Sequence, residues 1–194
     1  MEEFWFYLEM GLHHVLDFGA YDHILFLSAL AIPFTFKSWK KVLVLATVFT
    51  VAHCVSLALS VYEVATVDVS LIEFLIPLTI VLTALYNIYE LKNNPQVQHI
   101  LLHSIATAFF GLIHGFGFSN YFKMLMAEEE DKVVPLLGFA GGIELSQLSI
   151  ILCVLLLAFL TQSIFKLKQS WFIIVCSLII VAITIPLLIN TFPL

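Results

Sequence analysis

Runs of apolar residues long enough to cross a lipid bilayer recur along this 194-residue chain. A helical crossing needs roughly 20 mostly apolar residues. Six such runs are read near 20–36, 39–62, 69–90, 98–120, 133–160 and 170–191. Backbone groups inside lipid must pair within their own segment, so each run is expected to be a helix. The fold expected is therefore all-α: a polytopic transmembrane bundle forming a single domain over residues 1–194. With 61% hydrophobic and only 11% charged residues, the chain is far from the composition of a soluble domain. Its longest polar stretch, Met126 to Lys132, is read as a loop. Pro33 and Pro186 fall near helix ends, and Pro77 lies inside the third run.

Residues 1–19 differ from these runs. Phe4, Trp5, Phe6, Tyr7 and Leu8 are apolar, but Glu9, His13, His14 and Asp17 follow. The segment is read as a short interfacial or partly inserted helix, lying near the site as a lid. Its acidic start does not resemble a cleaved signal peptide. A net charge of −6 argues against a nucleic-acid partner. Cys54, Cys153 and Cys176 all fall in apolar runs and are read as buried thiols.

The lysines orient the bundle. Lys37, Lys40, Lys41, Lys92, Lys166 and Lys168 lie in alternate connections, on one side. The other side receives only Lys123 and Lys132, among several acidic residues. By the positive-inside rule the lysine-rich side is cytoplasmic. The expectation is an integral protein of the cytoplasmic (inner) membrane with both termini outside.

Ionisable side chains within spans are costly, roughly 2.5–3.5 kcal/mol for a central aspartate or lysine. This chain nonetheless places Asp22, His23, His53, Glu73, His103, His114 and Glu144 within its runs, with Gln147 three residues after Glu144. At 1.5 Å rise per residue, Asp22 and His23 lie within about a turn of the outer end. Glu73, His114, His53 and Glu144 follow at depths of about 6, 9, 13 and 16 Å. Five helices thus bring imidazole or carboxylate to the outer half, whereas His103 and the interfacial His99 lie toward the inner side. Imidazole and carboxylate together suit borderline divalent metals such as nickel, zinc or cobalt. His14 and Asp17, three apart, are expected on one face of the short helix. Of the adjacent Asp22 and His23, one ligates while the other orients it. The small-residue steps Gly111–Gly115 and Gly138–Gly142 mark close helix approach.

Gly11-Leu12-His13-His14 followed by Tyr21-Asp22-His23-Ile24-Leu25-Phe26-Leu27 resembles the first signature of the HupE/UreJ family, membrane proteins with hydrogenase and urease accessory functions. Thr47 to His53, Phe110 to Phe118, and Gly142 to Gln147 resemble later blocks, and Glu73 and Asn87 match polar positions of the third helix. The resemblance spans roughly residues 11–150. It implies a nickel or cobalt permease or accessory protein for metalloenzyme maturation, with His14, Asp22, His23, His53, His114 and Glu144 as metal positions and Asp17, Glu73, His103 and Gln147 in support. The chain departs from the usual pattern in three places. The spacing from His14 to Asp22 is two residues longer, Cys54 replaces a serine, and Ala140 follows Phe139 where asparagine is usual.

Two other functions are open to the same residues. One is an intramembrane metal-dependent hydrolase of lipid or peptide, with Glu144 or Asp22 as general base. The other is a metal-free proton relay or a structural bundle.

Overall fold

The computed structural model describes residues 2–93, 100–127 and 129–193. His99 lies outside the described residues. Among these, the chain forms seven α-helices, one short 3-10 turn and no strand. The helices are α1 (Glu2–Leu16), α2 (Asp22–Ala31), α3 (Trp39–Val61), α4 (Val69–Asn93), α5 (Ile100–Leu125), α6 (Val133–Ser163) and α7 (Gln169–Asn190).

Helices α3 to α7 are long and apolar enough to cross a membrane, so the chain is an integral membrane protein. The stretch 20–36, expected as a first span, instead yields α2 with ten residues. That is a rise of about 15 Å, half the hydrocarbon thickness. Both ends have a chemical cause. Before it, the Asp17 carboxylate accepts a hydrogen bond from Gly19 N at 2.7 Å and closes a local turn. After it, Pro33 has no N–H to give to the Ala29 carbonyl, which instead accepts from Asn87 Nδ2 at 2.7 Å. Pro77 and Pro186, by contrast, sit within continuous helices.

The N-terminal segment forms the short helix expected of it. It is packed into the bundle along α6 at backbone-contact distance. A methyl group on Gly138 would overlap the Phe4 carbonyl, one on Gly142 the Leu8 carbonyl, and one on Gly11 the Phe139 carbonyl. Three glycines across two helices thus replace side chains with backbone, the close approach that small residues permit in lipid. The outer face of α1 leaves Trp5 and Phe6 exposed. A helix seated this way is a wall of the bundle, not a detachable lid.

A second tight seam joins α3 and α5. A methyl on Gly115 would overlap the Ser56 hydroxyl and the His53 carbonyl, and Gly111 faces the Phe49 carbonyl at 2.7 Å from where its Cβ would stand. This seam draws the two helices carrying His53 and His114 together. Tyr7 reaches Glu129 at 3.0 Å and Lys123 reaches Glu63 at 2.7 Å, tying the loops of one end.

Candidate metal centre

Four imidazoles converge where α1, α2, α3 and α5 meet. His14 comes from the last turn of α1, His23 from the first turn of α2, His53 from α3 and His114 from α5. Ring centroids stand 4.6 Å apart for His14–His23, 5.8 Å for His14–His53, 5.6 Å for His23–His53 and 5.3 Å for His23–His114. His14, His23 and His53 each offer a nitrogen, and these atoms lie within 4.8 Å of one another. His23, His53 and His114 are 3%, 0% and 1% exposed, so bulk water does not satisfy them.

The hydrogen bonding leaves the ring nitrogens available. His114 Nδ1 lies 2.9 Å from the Phe110 carbonyl. A carbonyl only accepts, so Nδ1 carries the proton and Nε2 keeps its lone pair. That Nε2 has no partner among the described residues, nor have His14 Nε2 and both ring nitrogens of His53. The Asp22 carboxylate lies 3.4 Å from His23 Nδ1 without making a well-formed hydrogen bond. An unsatisfied buried polar group costs about 1–3 kcal/mol, so several together are expensive unless a ligand completes them. A divalent transition metal fits: neutral imidazole nitrogens are its donors, and a neighbouring carboxylate orients the ring and offsets charge.

Aromatic rings enclose the cluster. Phe118 lies tilted over His14 at 4.0 Å, Phe26 and Phe49 lie 5.1 and 5.2 Å from His114, and Phe139 lies 5.6 Å from His14. These residues were not picked out from sequence, although a signal existed. Phe49 precedes His53, and Phe110 precedes His114, by the four residues that put side chains on one helix face.

The other sequence-predicted positions fall around this core. Glu144 is not among the imidazoles' ring contacts. Its oxygens accept hydrogen bonds from Thr47 and Thr50 of α3, each at 2.6 Å. Thr50 and Thr47 precede His53 by three and six residues on α3, about 4.5 and 9 Å along the helix axis, so Glu144 meets α3 next to the cluster and not within it. Asp17 does not share the α1 face with His14, because α1 ends at Leu16 and its carboxylate caps the following turn. His13 is exposed, 3.8 Å from Glu9. Gln147 is fully buried with neither amide atom partnered among the described residues. His103 pairs with Glu90 at 3.5 Å, eleven residues before His114 on α5.

Two openings reach the centre. A vestibule of about 710 Å³ is lined by His13, His14, Asp17, Phe118 and Tyr121. A cleft of about 230 Å³ between α2, α4 and α7 carries Asp22, Glu73 and Pro77. His14 therefore borders both the vestibule and the imidazole cluster, and Asp22 links the cluster to the cleft.

No curated protein and no solved structure matches the chain. The model of the HupE / UreJ protein family matches residues 1–190, and the chain therefore belongs to that family.

Proposed function

We propose that this protein is a permease for a divalent transition metal of the nickel or cobalt type, acting in the cytoplasmic membrane with both termini outside. The observation that carries the reading is the set of buried imidazole nitrogens without partners among the described residues, beside a vestibule that carries His13, His14 and Asp17. In this reading the metal is the cargo. His14 meets it from the vestibule, and His14, His23 and His53 hold it with His114 as a fourth donor. Asp22 supplies the negative charge that draws a cation into an apolar enclosure and keeps His23 in its binding orientation. Membership of the HupE/UreJ family supports a nickel or cobalt accessory or transport role. Delivery to proteins that mature hydrogenase or urease would follow from it.

The hydrolase reading finds no support. A general base must reach the water it deprotonates, yet the Glu144 oxygens are engaged by two threonine hydroxyls. Asp22 is turned to His23.

The test is uptake of Ni²⁺ or Co²⁺ into proteoliposomes. Wild-type protein imports the ion, and His23→Ala and His114→Ala lose uptake by roughly tenfold or more. A protein that binds metal but moves none across the bilayer overturns the permease.

A further inference from the structure

We infer that the chain carries a second cation site in the inner half of the bundle, built from His103 and Glu90, where a divalent transition metal halts after leaving the imidazole cluster; the transit role rests on the permease reading.

The pair itself is the first observation. His103 Nε2 lies 3.5 Å from Glu90 Oε2, and the side chains are only 11% and 13% exposed. Two ionisable groups are thus kept together and largely buried where the ends of two spanning helices meet, a pairing that marks a functional site. Imidazole plus carboxylate is a donor set for borderline divalent ions.

Helical register connects this pair to the outer centre. His103, Thr107, Phe110 and His114 follow at intervals of four, three and four residues on α5, one stripe on one face. Eleven residues are about three turns, so the two histidines are separated by about 16 Å along the same face. On α4, Thr83, Asn87 and Glu90 form a matching polar stripe.

Between the stripes lies a cavity of about 310 Å³, lined among others by Phe26, Phe110, Thr83, Asn87, Thr107 and His103. It has room for several waters around an ion. Its outer wall is the inner wall of the metal centre. Phe26 lies 5.1 Å from His114 and 6.0 Å from Phe110 in an edge-to-face arrangement, and Phe110 supplies the carbonyl that fixes the His114 tautomer. The two aromatic rings thus stand between the imidazole cluster and a largely apolar cavity whose polar side is Thr83, Asn87, Thr107 and His103, as a gate between successive sites would.

The experiment uses the full chain and Co²⁺ as probe. Equilibrium dialysis of wild-type protein in detergent gives two ions per chain, and Glu90→Gln combined with His103→Ala gives one. The Co²⁺ electronic spectrum of the retained ion, the outer one, is unchanged in that variant. In proteoliposomes the isosteric Glu90→Gln alone slows influx by roughly tenfold. Wild-type binding of a single ion, or two ions retained by the double variant, overturns the site. Stoichiometry decides the inner site and flux decides the permease. Two bound ions without import would keep the site and overturn the permease.

Discussion

At the scale of single residues, the metal centre depends on which imidazole nitrogens are spoken for. Seven histidines occur in the chain, and they are not equivalent. His53 is wholly buried with both nitrogens unpartnered among the described residues, whereas the adjacent pair His13 and His14 split their roles. His13 is solvent-facing beside Glu9, and His14 turns into the cluster. His53→Ala is therefore expected to weaken Co²⁺ or Ni²⁺ binding by roughly tenfold to a hundredfold or more. His13→Ala should change affinity by less than about twofold, since an exposed pair contributes little. Calorimetric titration of the two variants checks the contrast; equal losses would contradict the assignment. The identity of these residues was legible in the sequence because a histidine inside an apolar run has few reasons to be there. The roles of Glu144 and Asp17 were not. Spacing alone does not reveal that Thr47 and Thr50 present hydroxyls to one carboxylate, or that the other closes a turn beyond the helix end.

At the scale of elements, glycine decides where α1 sits, and α1 decides where His14 sits. The step from Gly138 to Gly142 signalled a close approach from sequence, but not its partner. Gly11 lies in a segment whose polar residues made it look interfacial. Gly141 and Gly142 provide an internal control. A methyl on Gly142 would overlap the Leu8 carbonyl, whereas one on Gly141 meets only the flexible Leu8 Cδ1 at 3.7 Å. Gly142→Val is expected to push α1 away at a cost of about 1–3 kcal/mol. Metal affinity should fall with it, toward that of His14→Ala. Gly141→Ala should leave both unchanged. Thermal unfolding with and without Co²⁺ reads both quantities; a Gly142→Val protein with wild-type affinity would show that α1 position does not set the centre. The shortness of α2 was hidden for a related reason. Its apolar run continues through Pro33 and Phe34, so hydropathy alone counts residues that the proline removes from the helix.

At the scale of the whole molecule, the helical bundle and its five long spans follow directly from hydropathy, because lipid leaves the backbone few other choices. Orientation rests on six lysines against two. In the orientation we propose, the imidazole cluster would open toward the outside through the His13–Asp17 vestibule, and the His103–Glu90 pair would lie toward the cytoplasm. In a background lacking the three native cysteines, a membrane-impermeant thiol reagent applied to intact cells should label Glu130→Cys and spare Lys40→Cys. The opposite pattern would reverse the direction of the route.

In the proposed permease, imidazoles from α1, α2, α3 and α5 hold the metal, and X-ray absorption at the metal edge tests that most directly. Protein loaded with Zn²⁺, Ni²⁺ or Co²⁺ and purified without a metal-affinity column should show a nitrogen-rich nearest shell, at about 2.0–2.1 Å for Zn²⁺, with the outer-ring scattering of several imidazoles. That scattering should diminish in His23→Ala and in His53→Ala. A metal that washes away, or a shell of oxygens without imidazole scattering, would contradict it.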